Sequence, residues 1–163
     1  PDHGQLTTTL YRTDVDDLIA FNGAFFQAIN IDRARLEGIE LEYAFERDGW
    51  QFEANATLQD AQDRDTGADL LRRPQEKAAI RLDRRFADAA WLGLECYYSG
   101  ERSDFGGVTL DSYQLLNLRA GWAFLPAWRL ELRGENLADE YYEPAYGFDA
   151  AGRSWFLSLA WIP

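Results

Sequence analysis

The stretch "WRLELRGENL" (residues 128–137) alternates apolar and charged side chains almost without a break. Its apolar positions are Trp128, Leu130 and Leu132, and its charged positions are Arg129, Glu131, Arg133 and Glu135. Because successive side chains of a strand point to opposite faces, the stretch predicts a strand with one apolar side and one charged side. A soluble sheet packed on a core has such strands, and so does the wall of a membrane barrel with a wet or plugged lumen.

Similar alternation along the rest of the chain predicts eight strands, and no helical period competes with it. The predicted strands cover residues 5–20, 25–46, 49–61, 74–87, 90–102, 112–125, 128–138 and 153–162. In a barrel their apolar side would face lipid, and it includes Leu116, Leu118, Trp122, Leu130, Leu132, Leu157 and Leu159. The first strand is less regular around residues 14–17, where we expect a bulge or a rise out of the membrane.

The connections between the predicted strands differ in length. Three are tight and lie at residues 47–49, 87–89 and 126–127. Three are long and polar and lie at residues 63–73, 101–111 and 138–153, whereas the remaining joint, at 21–24, is the weakest example. In an antiparallel meander the two kinds lie at opposite ends, which is typical of outer-membrane barrels with short periplasmic turns and long extracellular loops.

Aromatic side chains cluster at the tight turns. They are Phe45, Trp50, Phe86, Trp91, Phe124, Trp128 and Trp161, with Trp91 open to either face of its strand. A belt of rings at one level is typical of a bilayer interface. The alternative is a soluble β-sandwich whose core is closed by bulky rings. Together the patterns favour an all-β, antiparallel, up-and-down transmembrane barrel over the sandwich.

The composition argues against several functions. The formal charge of −12 leaves no basic stripe to neutralise the phosphates of a nucleic acid. With a single Cys96 and a single His3, no intrachain disulfide is possible, and neither a metal cluster nor a nucleophile–base pair is visible. The acidic residues Asp63, Asp65 and Asp69 fit no calcium-binding motif. We therefore expect no enzyme, no metal and no cofactor.

Four segments, in order along the chain, resemble the C-terminal part of TonB-dependent outer-membrane receptors. They are "YRTDVDDLIAF" (11–21), "NIDRARLEGIELEYAF" (30–45), "LLRRP" (70–74) and "ENLADEYYEPAYGFDAAGRSWFLSLAW" (135–161). The last is the most specific, with an Asn-Leu-x-Asp-x-x-Tyr strand end, a Tyr-rich loop, a Gly-Arg and a final apolar strand. The resemblance is greatest to the cobalamin (vitamin B12) transporter branch, and siderophore receptors share the final segment.

The resemblance implies a barrel of about 22 strands, plugged by an N-terminal domain, in the bacterial outer membrane. Residues 1–163 would be the C-terminal part of that barrel, with the plug absent from this chain. The implied partners are outer-membrane lipid, the receptor's own plug, TonB through the absent N-terminal region, and cobalamin or a ferric siderophore as ligand. The alternative is a small structural barrel that closes with these eight strands.

The resemblance also suggests ligand-binding residues. The "LLRR" segment matches the place where an arginine reaches bound cobalamin, which corresponds to Arg72, although this side chain would equally suit a loop-stabilising role. An aromatic lip would consist of Tyr141, Tyr142, Tyr146 and Phe148, whose alternative role is anchoring at the outer rim. The wall that faces the lumen would carry Lys77, Arg81, Asp83, Arg119, Arg129, Glu131, Arg133 and Glu135.

Overall fold

The protein is all-β in the residues that the computed structural model describes, which are 4–22, 27–87 and 89–162. The strands are β1 (Gln5–Asn22), β2 (Gln27–Arg47), β3 (Trp50–Asp63), β4 (Glu76–Phe86), β5 (Ala90–Ser99), β6 (Arg102–Ser103), β7 (Thr109–Leu110), β8 (Tyr113–Leu125), β9 (Trp128–Glu135) and β10 (Ser154–Trp161). A 3₁₀ turn spans Phe105–Gly107. Within these ranges, no helix is long and apolar enough to span a membrane.

Eight strands form one antiparallel sheet in the order β1-β2-β3-β4-β5-β8-β9-β10, and β6 pairs with β7 separately. Each of the eight pairs with the next one along the chain, so the sheet is a meander and the sandwich alternative is wrong. Strands β1 and β10 form the two edges and are not paired with each other over the described residues. The chain therefore does not close into a small eight-stranded barrel by itself.

The tight and long connections lie at opposite ends of the sheet, as predicted. Strands β2 and β3 are joined by Asp48 and Gly49, whose φ angles of 50° and 79° fit a mirror-image hairpin turn. The other two tight connections follow from the pairing of Phe86 with Ala90 and of Leu125 with Trp128. Loops 64–75, 100–112 and 136–153 lie at the other end. The joint predicted at 21–24 falls largely outside the described residues.

Several predicted boundaries were wrong for local reasons. Strand β4 begins two residues later than predicted, after Pro74, which has no N–H for a ladder. Strand β5 ends at Ser99 and β9 at Glu135, where Asn136 turns the chain with a φ of 50°. Residues 14–17 hold no register-shifting bulge, because the β1–β2 register is the same at Asp16↔Arg33 and Leu18↔Ile31, although Asp17 has a positive φ of 57°. The other expectation for this stretch, a rise out of the membrane, stays a prediction. A register shift occurs instead between Trp122 and Leu125.

The two faces of the sheet differ as the alternation predicted. One row of cross-strand neighbours runs through Phe45, Phe52, Leu82, Leu94 and Leu118, and we call the side that contains it the apolar face. It also carries the predicted lipid-facing residues Leu116, Trp122, Leu130, Leu132, Leu157 and Leu159. These side chains are not in a dry core, since Leu157 is 69% exposed. We call the opposite side the polar face.

Trp91 lies on the polar face and does not join the aromatic belt of the apolar face. It pairs with Gly121, and a Cβ at Gly121 would lie 2.2 Å from Trp91 Nε1. The indole therefore occupies the space that a side chain at position 121 would need. The alternation of β5 places this ring opposite Leu92 and Leu94, and Gly121 leaves the room that the ring needs there.

The apolar face has a charged boundary at each end. Toward the long loops, Arg12, Glu37 and Asp60 form the row next to Leu10 and Ile39. Toward the tight turns, the boundary row is Arg47, Trp50 and Arg84. Ten residues of β2 separate Glu37 from Arg47, which is about 33 Å along a strand and about 25 Å in height at a tilt of about 40°. That height matches the apolar band of an outer-membrane barrel.

Candidate functional site

Asp104 joins the three long loops. Its side chain has no exposed surface, and its two carboxylate oxygens each lie 3.1 Å from Arg72 Nε of loop 64–75. The main-chain N–H groups of Phe105 and Tyr146 donate to the same carboxylate at 2.7 and 2.8 Å. Burial raises the pKa of Asp104, but the hydrogen bonds from Tyr146, Arg72 and Phe105 outweigh it, and the pKa is below its usual value. Asp104 is therefore an anionic hub.

Arg102 makes a second junction beside this hub. Its side chain is buried, and it donates to the main-chain carbonyls of Asp111 at 3.4 Å and of Glu143. Its guanidinium lies 5.2 Å from the centroid of the Tyr113 ring, which stacks on Tyr142 at 4.2 Å. Loops 100–112 and 136–153 are thus joined at two places. We call the contacts of Asp104 and Arg102 the loop junction.

The Asn-Leu-x-Asp-x-x-Tyr segment holds the two ends of loop 136–153 together. The buried Asn136 side chain donates to the carbonyls of Glu140 and Ala151 at 2.8 and 3.4 Å, and it accepts from Glu140 N–H at 2.9 Å. Asp139 accepts from Arg153 N–H at 2.8 Å. The amide of Asn136 and the carboxylate of Asp139, three residues apart, therefore close this loop.

Arg72, the predicted ligand-binding arginine, lies at the mouth but is held by the loop junction. Its Nε donates to Asp104, and its guanidinium lies 4.9 Å from the centroid of the Phe105 ring. Its main-chain N–H donates to Ser103 O at 2.8 Å. Its side chain is still 42% exposed. Neither terminal NH₂ group has a hydrogen bond to any described residue.

The four predicted lip residues separate into two groups. Tyr141, Tyr146 and Phe148 are exposed, and Tyr141 is the most exposed at 71%. Tyr142 instead stacks on Tyr113 inside the loop junction, and the structure does not bring it to the exposed group. The Tyr141 hydroxyl donates to Asp149 at 2.8 Å, and this hydrogen bond raises the pKa of Tyr141 to about 12. Tyr141 is therefore a neutral, oriented ring at neutral pH.

The polar face carries a ladder of ion pairs. Arg81 lies between Glu53 at 3.5 Å and Glu95 at 2.9 Å, and Glu95 also accepts from Asn117 at 3.0 Å. Arg119 reaches over strand β5 to Asp83 at 2.9 Å. This contact is possible because Gly93 lies between them, where a Cβ would be 2.1 Å from Asp83 Oδ1.

The remaining predicted wall residues lie on this same face. By register and alternation these are Lys77, Arg129, Glu131, Arg133 and Glu135. Arg133 pairs with Glu135 at 3.2 Å, and its guanidinium lies 4.4 Å from the centroid of the Phe156 ring. Every predicted wall residue is thus on one surface, and the charges at several positions are neutralised within it.

Sequence reasoning missed Asp104 and Arg102. Asp104 precedes a Phe-Gly-Gly turn in which Gly106 and Gly107 have φ angles of 72° and 73°. An aspartate before such a turn indicates a local hydrogen bond, here to Phe105 N–H. Nothing in the sequence pairs it with Arg72 or Tyr146, which are 32 and 42 residues away. The contact depends on where three loops meet.

The model of the family described as "TonB dependent receptor-like, beta-barrel" matches residues 1–137. The chain belongs to this family of TonB-dependent receptors. It is 30% identical over 164 residues to the vitamin B12 transporter BtuB of Vibrio vulnificus (strain YJ016), covering 95% of this chain and 27% of that protein.

Solved structures of the same fold support the assignment of the barrel. The copper transporter OprC superposes with a TM-score of 0.80 at 18% identity, over 99% of this chain and 29% of that one. The ferric-catecholate import receptor Fiu from E. coli K12 gives 0.77 at 20% identity, over 97% and 25%. The chain thus spans about a quarter of the length of the relatives it matches.

Membership of the TonB-dependent receptors places the chain in the bacterial outer membrane. In such a barrel the apolar face meets lipid and the polar face lines the lumen. Such barrels have short periplasmic turns and long extracellular loops, an arrangement that would place the loop junction at the extracellular end. The candidate site is therefore the extracellular mouth, with the ion-paired wall beneath it.

Proposed function

We propose that this chain is the C-terminal wall and mouth of a receptor that takes up a scarce, bulky ligand across the outer membrane. The two unpaired edges, β1 and β10, support a larger barrel, because open sheet edges are not tolerated in lipid. Earlier strands would complete the wall, and an upstream plug would fill the lumen. Energy would come through TonB acting on that upstream region. We assign no covalent step to the barrel and propose that the protein acts as a receptor.

The ligand that the observations favour is cobalamin or a related corrinoid. The observation that carries this proposal is the 30% identity to a vitamin B12 transporter over nearly the whole chain. The charge of the mouth supports it, since loops 64–75, 100–112 and 136–153 contain nine acidic and five basic residues. An acidic mouth repels anionic ferric catecholates and does not repel a corrinoid without net charge.

Two groups at the mouth suit a corrinoid. The terminal NH₂ groups of Arg72 can donate to its amide or phosphate oxygens, because a guanidinium presents several donors in one plane. Tyr141, Tyr146 and Phe148 offer exposed rings that can lie against the apolar edge of the macrocycle. A ferric siderophore is the second candidate, because the same exposed rings can stack on aromatic iron-binding groups.

Ligand competition on cells that express the full-length receptor tests this proposal. We expect saturable binding of labelled cyanocobalamin that an excess of iron(III) tris-catecholate does not displace. Saturable binding of the iron chelate without binding of cyanocobalamin would establish the siderophore alternative. Binding of neither compound, with the barrel correctly inserted, would favour a structural barrel.

A further inference from the structure

Two arginines face lipid at the periplasmic end of the apolar face. Arg47, Trp50 and Arg84 are direct cross-strand neighbours on β2, β3 and β4. The next row toward the membrane centre consists of Phe45, Phe52 and Leu82. Both cations therefore lie at the lower boundary of the apolar band, one on each side of an indole.

Arg84 is held in place by two aromatic rings and a main-chain carbonyl. Its guanidinium lies 4.9 Å from the centroid of the Trp50 ring and 5.8 Å from that of Phe86, and Nη1 donates to Asp48 O. No carboxylate in the described part of the chain lies within ion-pair distance of it. Arg47 pairs with the highly exposed Asp48 carboxylate at 3.3 Å. Among the described residues, the cationic charge of Arg84 is therefore not neutralised by an ion pair.

The rest of this boundary is aromatic and uncharged. Its apolar-face residues on the later strands include Trp122, Phe124, Trp128 and Trp161. Along the described strands, the apolar face with its two boundary rows contains three basic residues, Arg12, Arg47 and Arg84. Arg12 lies at the opposite boundary. A cation facing lipid is costly at the bilayer midplane and costs little at the interface, where headgroups can neutralise it. The positive charge is thus confined to one corner of the belt.

We infer that this corner binds the phosphate diester of a glycerophospholipid in the periplasmic leaflet. The exposed edge of the Arg84 guanidinium donates to the phosphate oxygens, and Arg47 donates from the other side of Trp50. The acyl chains lie along Phe45, Phe52 and Leu82, which continue directly above the two cations. A phospholipid fits this corner better than a free anion does. A free anion would use only the positive charge, whereas a phospholipid also uses the adjoining apolar row.

Native mass spectrometry of the full-length receptor in detergent tests the inference. Purified receptor is mixed with phosphatidylglycerol, and the number of lipids that it retains is measured for the wild type, Arg84→Gln, Arg47→Gln and Arg85→Gln. Arg85 is the matched control, because it is the next residue of β4 and lies on the polar face. We expect Arg84→Gln to weaken lipid retention about fivefold, the size of a partly exposed charge contact, and Arg85→Gln to leave it unchanged.

Each other outcome contradicts the inference in a distinguishable way. Equal retention by Arg84→Gln would show that this guanidinium does not hold the lipid. Equal losses in Arg84→Gln and Arg85→Gln would reduce the effect to net charge. Retention of diacylglycerol as strong as that of phosphatidylglycerol would exclude phosphate recognition. Displacement of the lipid by millimolar inorganic phosphate would indicate a site for a free anion.

Discussion

Replacing Asp104 with asparagine should loosen all three extracellular loops at once. The carboxylate accepts from Arg72 Nε and from the N–H groups of Phe105 and Tyr146, and its side chain has no exposed surface. In Asp104→Asn the charge is lost, and the new NH₂ group must face one of these donors. Hydrogen bonds to a charged group contribute about 1.5–3 kcal/mol each, so losing one such bond should make opening of the junction roughly 10- to 150-fold more frequent.

Hydrogen exchange measured by mass spectrometry on the full-length receptor checks this prediction. Peptides that contain Phe105 and Tyr146 should exchange faster in Asp104→Asn by that factor, whereas peptides from β3 and β4 should not change. Glu101→Gln is the matched control, because it removes one negative charge from an exposed position of the same loop. Unchanged exchange at Tyr146 in Asp104→Asn would refute the role of Asp104 as a hub. Equal acceleration in the control would attribute the effect to charge alone.

Three further results are expected. Acidification should open the loop junction, because the pKa of Asp104 is lowered in the folded protein. The stabilisation that the Asp104 carboxylate provides is complete above the ordinary carboxyl pKa of about 4 and is lost as the pH falls through the lowered pKa. Hydrogen exchange at Tyr146 that stays equally slow at all acidic pH values, after correction for the intrinsic rate, would contradict this. Gly93→Ala places a Cβ 2.1 Å from Asp83 Oδ1, so it should separate Asp83 from Arg119. The free energy of unfolding, measured by urea titration in lipid vesicles, should fall by about 1–3 kcal/mol. An unchanged titration midpoint would count against that ion pair. Arg72→Ala should weaken cyanocobalamin binding about 10- to 150-fold at matched surface expression, since it removes a charge-assisted contact and loosens Asp104. The controls Arg73→Ala, at an exposed neighbouring position, and Arg133→Ala, which removes the partner of Glu135, should bind cyanocobalamin normally. Normal binding by Arg72→Ala would remove the residue-level argument for a corrinoid.

The period of two predicted the faces of the sheet because it follows from strand geometry at every position. Leu130 and Leu132 could be assigned to the apolar face, and Arg129 and Glu131 to the polar face, without knowing any partner strand. The aromatic pattern left the face of Trp91 open, although the alternation of β5 places it opposite Leu92 and Leu94, on the face where Gly121 leaves room for the ring. Strands β6 and β7 have two residues each, which is too short to show any period.

The candidate site was predictable in position and only partly in detail. The lengths of the connections located the mouth, and the Tyr-rich segment located the exposed rings. The partner of Arg72 was not predictable, because Asp104 and Tyr146 come from two other loops whose meeting depends on the curvature of the whole sheet. Tyr142 was assigned to the lip from composition, yet its ring packs on Tyr113 of β8.

Uptake of labelled cyanocobalamin tests the proposed function most directly. The full-length receptor is expressed in cells without their own vitamin B12 receptor, in strains with and without TonB, and surface binding and accumulation are measured separately. We predict equal surface binding in the two strains and accumulation only in the strain that has TonB. Accumulation that is independent of TonB, or surface binding that is absent from both strains, would contradict the proposal.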